Sequence, residues 1–168
     1  MSLKSQIFEY IAYRLHQWYL ENNLDGRLNI MKLMRLLFLV SGVDVDHNLF
    51  DVFRFQAWQY GHMDPDIYKL FSDNGGKFKN FEVGRDHFKW TAPSGIIPEL
   101  DGEVKKRVDF CIYKLTSKHP KTLIQDWYAL SELCWSYTSY KHYKKLDECY
   151  VDMNPLLLLL TYESQNYY

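Results

Sequence analysis

The chain has 168 residues, 47% of them apolar and 17% aromatic, and its 20 basic and 21 acidic side chains give a net charge of -1. One domain of this length buries roughly 70% of its unfolded surface, so a core is available without disulfides or a structural metal. The charge balance argues against an electrostatic nucleic-acid binder, and three widely spaced cysteines, Cys111, Cys134 and Cys149, make no disulfide framework, which fits a reducing, cytoplasmic setting.

The first segment, residues 4 to 22, reads as a helix with Ile7, Ile11, Leu15 and Trp18 at three- and four-residue spacing. Glu9, Arg14 and His16 interrupt it as a signal peptide, and Leu24-Asp25-Gly26 ends it. Asn29 is placed to cap a second helix, Ile30 to Val40, with Leu33, Leu36, Leu37 and Val40 buried and Lys32 and Arg35 facing water. Its apolar character puts it at the centre of the fold. The run FDVFRFQAWQY alternates as a strand does through Phe53, Phe55 and Ala57, but a short helix is equally compatible.

Asp64-Pro65 is a clear helix start, because proline at the first helical position leaves no N–H unpaired and aspartate caps the turn. That helix runs to about Ser72 and stops at Asn74-Gly75-Gly76. FEV and FKW, separated by Gly84-Arg85-Asp86-His87, read as a small hairpin between residues 79 and 91, followed by a loop through Pro93, Gly95 and Pro98. Asp101 caps a helix of about 102 to 118 with Val104, Val108, Cys111 and Leu115 inward. A shorter helix after His119-Pro120 carries Leu123, Trp127 and Leu130, and Asn154-Pro155 repeats the cap-plus-proline start for a last one. The apolar run Leu156 to Leu160 is far below the ~20 residues needed to cross a bilayer. The expectation is a mainly α, single-domain bundle over residues 1–168: about six helices around a central apolar helix, plus the small hairpin.

No motif assigns chemistry. The six histidines lack the spacing of a helical zinc site; His62 and Asp64 lie close in sequence, but an aspartate before proline is more often a cap than a ligand. No nucleophile elbow occurs, and Cys134, between Leu133 and Trp135, reads as a packed thiol. Gly75-Gly76 follows a helix, whereas phosphate-loop glycines precede one. The stretch YTSYKHYKK, Tyr137 to Lys145, interleaves aromatics with lysines and could stack bases, but a solvated helix end or loop is the more ordinary reading. Catalytic, metal and cofactor residues are therefore assigned to none. What remains is protein binding: 14 Tyr, 10 Phe and 5 Trp either fill an aromatic core or lie partly on an interface, with Trp58, Tyr60, Tyr68, Trp135 and Tyr140 as anchors.

Three segments, MKLMRLLFLVSG, FQAWQYGHMDPDIYKLF and ALSELCWSYTSY, occur in the order that resembles the Panacea domain, also called the SocA-like or phage-associated GepA-like domain. Met31-Lys32-Leu33, Arg35-Leu36-Leu37 and Gly42 match that family's "LKLQKLLYYAQG". Phe55, Ala57, Trp58, Tyr60, Gly61, Pro65, Ile67, Tyr68 and Phe71 match "FEAWKYGPVVPELYRAF", the most specific block. Leu130-Ser131-Glu132-Leu133 opens the third, "LSELTH…PW", and the resemblance covers about residues 5 to 160. Gly61-His62-Met63 replaces Gly-Pro-Val and Cys134-Trp135 replaces Thr-His, so the family's histidine is absent. The hairpin and the Pro93–Pro98 loop find no close counterpart in that pattern.

The resemblance implies a mostly helical antitoxin-type module of bacteria or their phages, which neutralises a toxin encoded beside it by direct binding. The alternative is an adaptor delivering the toxin to an AAA+ protease; a small hydrolase or nucleic-acid-modifying enzyme ranks third. The implied partners are a cognate toxin and, for the adaptor, a protease, with no membrane or nucleic acid; homo-oligomerisation is left open. In the specific block, Trp58 and Tyr60 are expected to pin the loop to the core, Gly61 to supply a special backbone conformation and Asp64-Pro65 to start the helix. A face carrying His62, Tyr68 and Trp135 is expected to contribute to partner binding.

Overall fold

The computed structural model describes residues 1–145, 150–155 and 158. Among them the fold is mainly α. Its elements are α1 (Leu3–Glu21), α2 (Ile30–Gly42), β1 (Gln56–Trp58), β2 (Gly61–Met63), α3 (Pro65–Asp73), β3 (Phe81–Val83), β4 (Phe88–Trp90), α4 (Gly102–Lys118), α5 (Pro120–Leu123), α6 (Trp127–Ser136) and α7 (Thr138–Lys145). None of the described helices is long and apolar enough to cross a membrane.

Helix α1 starts where the Ser2 side chain accepts from the Ser5 amide, and it buries Ile7, Phe8, Ile11, Ala12, Leu15 and Tyr19 along one stripe. It ends at Asn22, and the next residue, Asn23, adopts a left-handed φ of 56°. Helix α2 is capped as expected, the Asn29 side chain accepting from the Lys32 amide, and every one of its residues except Met31 is buried. Each fully buried leucine or phenylalanine there contributes about 2 kcal/mol. α2 packs against α1, α4, α6 and β2.

The ambiguous stretch is strand only at Gln56–Trp58; Phe53 and Phe55 precede it in irregular chain and are buried without a strand. β1 pairs antiparallel with β2 in the register Gln56↔Met63, Ala57↔His62 and Trp58↔Gly61, so Gln59-Tyr60 is the turn. The second hairpin is where the sequence puts it, with Phe81↔Trp90, Glu82↔Lys89 and Val83↔Phe88 opposed. Its rings lock it onto α1: Phe88 stacks on Phe81 at 4.8 Å, and Trp90 meets Tyr13 at 5.3 Å. The Ile30 amide donates to the Gly84 carbonyl, tying this hairpin to the start of α2.

Several expectations are corrected. Residues 120–136 form two helices rather than one, because Asp126 accepts from the Ala129 amide and caps a new helix. Of the two readings of Tyr137–Lys145, helix end or loop, the helical one holds: Thr138–Lys145 is α7, giving seven helices among the described residues rather than about six. Asp101 occupies the N-cap position of α4 without a side-chain bond to it, and Val104 is only partly buried. The last helix expected after Asn154-Pro155, and Cys149, lie outside the described residues. Beyond α7 the chain returns to β1, where the Met153 amide donates to the Phe55 carbonyl and Asp152 accepts from Arg54 and Gln56.

Candidate functional site

The AWQYGHMDP stretch is the first hairpin and the cap of α3. Pro65 takes the first helical turn, and the buried Asp64 carboxylate accepts from the Asp66 and Ile67 amides, as the sequence predicts. The same carboxylate also accepts from the Arg54 amide, closing the open end of the hairpin. At the other end Gly61 has φ +130°, and a β-carbon there would lie 3.0 Å from Cys134 Cβ and 3.1 Å from Arg35 Cδ and Nε. Glycine is required for both reasons. The turn itself is gripped from outside: Trp135 Nε1 donates to the Gln59 carbonyl at 3.1 Å and the Tyr140 hydroxyl to the Trp58 carbonyl at 2.6 Å.

Beside this turn lies a cleft of about 730 Å³ between the start of α2, β1–β2, α3, the β3–β4 turn and the start of α6. Its aromatic wall is made by Trp58, Tyr60, Tyr68 and Trp127. These rings brace one another edge to face, Trp58 on Tyr68 at 5.2 Å and Tyr60 on Trp127 at 5.6 Å. Arg35, Arg85 and Lys144 also line it, against the single carboxylate of Asp86.

Arg35 and Lys32 overturn the reading that placed them in water: each is 1% exposed. The polar side of α2 is covered because α6 and the first hairpin pack over it. Arg35 donates one bond, from Nη1 to the His62 carbonyl at 2.7 Å, while its Nε has no partner. Lys32 has no carboxylate of a described residue in ion-pair distance; its ammonium sits 4.8 Å from the centre of the Tyr19 ring, and burial pulls its pKa down to about 8. Nothing in the sequence spacing signalled these buried cations. The one available cue was the family block in which both residues stand.

The expected binding residues divide. His62 is fully buried, stacked on Phe38 at 3.5 Å with Nε2 3.0 Å from the Ser139 hydroxyl and Nδ1 without a partner. Burial, with the Arg35 charge second, holds it neutral well below the usual histidine pKa. It shares no exposed face with Tyr68 and Trp135, which corrects that expectation: the β2 register turns its side chain inward. Tyr140 is also buried beneath the turn. Tyr60 does not pin the loop to the core; it is 38% exposed and rests on Trp127. Trp58, Tyr68 and Trp135 are half-buried and remain at the surface. The residues missed in the sequence are Trp127, which read as a core residue, and Tyr128 and Tyr150, both exposed. Tyr128 meets Trp127 and, at 5.9 Å, Trp135, while Tyr150 meets Trp58 at 6.0 Å, so the aromatic band consists of two ring clusters that share the hairpin turn through Tyr60 and Trp58.

Cys134 and Cys111 are buried, and desolvation pushes their thiols up to about 11 and about 12, away from nucleophilic thiolate. Among the described residues no three histidine, cysteine or carboxylate side chains gather as a metal site. In α7, Tyr140 and Tyr143 turn inward, the Tyr143 hydroxyl accepting from the Asn154 amide, which leaves the lysines without a stacking platform. Compared with protein-family models, curated proteins and solved structures, the chain matches none of them significantly.

Proposed function

We propose that this chain is a protein-binding module of the antitoxin type, which neutralises a toxin encoded beside it by direct binding in the cytoplasm. In this reading residues 1–168 are one divergent Panacea-like domain, a helical bundle with α2 at its centre. The observation that carries the binding part is the aromatic band around the first hairpin and α6, made of the series Tyr60, Trp127, Tyr128 and Trp135 and of the pair Trp58 and Tyr150. Tyr150 is 79% and Tyr128 50% exposed, and such rings supply interface area at low entropy cost. The toxin comes from the resemblance, whose most specific block supplies the turn that presents Trp58 and Tyr60.

The test is purification of the tagged protein from its own host at native level, with identification of what co-elutes. A stoichiometric small protein, toxic alone and tolerated with this chain, supports the reading, and Tyr128→Asp lowers its affinity by at least about tenfold. Co-elution of an AAA+ protease together with toxin loss points to the adaptor instead. Equal affinity of Tyr128→Asp and the parent protein removes the aromatic band as the docking surface.

A further inference from the structure

Four rings of the aromatic band, Trp58, Tyr60, Trp127 and Tyr150, also line the neighbouring cleft, whose cationic lining the band leaves unexplained. The cleft's volume of about 730 Å³ falls within the range of small-molecule sites, roughly 300–1,000 Å³. Inside it stands Arg35, whose guanidinium is charged at any pH the fold survives. Among the described residues Arg14 is matched with Asp109, Arg54 with Asp66 and Asp152, and Arg107 with Asp51, while Arg27 and Arg85 are exposed to water; Arg35 alone is both buried and without a described carboxylate. Arg35, at 1% exposure, has a single backbone carbonyl and an orphaned Nε. A buried cation left without an anion costs several kcal/mol, so its retention against a cavity wall is the arrangement an incoming anion completes.

Two further features narrow the ligand. Arg85 is exposed, lines the same cleft and makes no hydrogen bond or ion pair with any described residue. Two guanidinium groups match the charge of a phosphate dianion and its preference for forked donors. The wall opposite is flat and preformed: Trp58 held by Tyr68, Trp127 held by Tyr60. Such faces stack a planar ring of any base type. Asp86, next to Arg85 in the β3–β4 turn, is the cleft's acceptor for a hydroxyl or exocyclic amine.

We propose that the cleft binds a mononucleotide, its phosphate held by Arg35 and Arg85 and its base stacked on Trp58 or Trp127. This goes beyond the protein-binding reading and does not depend on it.

Titration of the full chain with the four nucleoside 5′-monophosphates, followed by tryptophan fluorescence and calorimetry, tests it. At least one mononucleotide binds at least about tenfold tighter than its nucleoside and than inorganic phosphate, a ratio expected from losing one charge-assisted contact. Arg35→Met abolishes or weakens that binding by at least about tenfold. Arg85→Ala, on the surface and safe for the fold, weakens it by at least about threefold and flattens its salt dependence. The proposal is overturned if no mononucleotide binds, if phosphate alone binds as tightly (an adventitious ion only), or if Arg85→Ala binds as the parent does. The assay contains no toxin, so its failure is separable from failure of the toxin-binding reading.

Discussion

The two ends of the first hairpin use the same residue types to opposite effect. At its open end Lys4 lies 2.7 Å from both Asp64 and Asp66, and Arg54 reaches Asp66 at 2.8 Å and Asp152 at 2.9 Å. Asp64 adds three backbone amides at 2.9 to 3.1 Å. Under its turn end, Arg35 of α2 finds one carbonyl, and one turn earlier on the same helix Lys32 finds one ring face, that of Tyr19. The first end is satisfied within the chain and fixes geometry. The second carries charge that the chain does not neutralise, which is the usual mark of a region kept for something other than stability.

That contrast can be broken by substitution. Asp64→Ala has the largest expected effect, a loss of about 3 kcal/mol in urea unfolding, because it removes a helix cap and orphans buried amides together. Asp64→Asn loses less, since the amide oxygen still caps. A loss below about 1 kcal/mol for Asp64→Ala shows that the open end does not hold the fold. Next comes Arg35→Met, for which unfolding should show a gain of about 1 kcal/mol, as when other buried charges give way to apolar groups. Arg54→Met, in the exposed network, should show a loss of at most about 1 kcal/mol. If both variants lose stability alike, the two ends are not different in kind.

The smallest effect is a pH dependence. His62 is held neutral in the folded chain, its pKa below the ordinary 6.5, while the unfolded chain takes up the proton as pH falls through that value. Stability is therefore present above about pH 6.5 and declines below it, by at most about 1.4 kcal/mol per pH unit for this one group. His16 and His119, also held low by burial, add to the decline, whereas Glu9 and Asp64, held high by burial, oppose it in the carboxylate range. His62→Phe keeps the stack on Phe38 and should flatten the pH 5 to 6.5 slope by up to one proton. An unchanged slope in unfolding measured across that window means His62 is protonated in the folded state.

What the sequence disclosed follows from how local each signal is. Asn29, Asp64-Pro65 and the FEV–FKW pair act within four or five residues of themselves, so their elements could be placed without the fold. The first hairpin stayed ambiguous because its turn is Gln59-Tyr60, with the glycine one place later than a turn signal would put it. Lys32 and Arg35 were misplaced for a tertiary reason: the polar side of one helix is polar only until another helix covers it. α7 was hidden by its lysines, since it buries tyrosines rather than leucines. Of the site, the residues on the turn and Trp135 of α6 were legible, while Trp127, Tyr128 and Tyr150 were not, because nothing local joins them to it.

The hydrogen bond from Met153 to Phe55 and the ion pair from Asp152 to Arg54 join residues 98 positions apart. A growing chain emerges from its N-terminus, so Trp58 and Tyr60 are synthesised long before Tyr150 can reach them. Their rings spend that interval facing water without the segment that later shields one side. Closing so long a loop costs entropy before any contact returns it. The proposed recognition surface is thus among the last parts of the molecule to be completed, and a ribosome-bound fragment ending before residue 150 carries the aromatics of the turn without the ring that packs on Trp58.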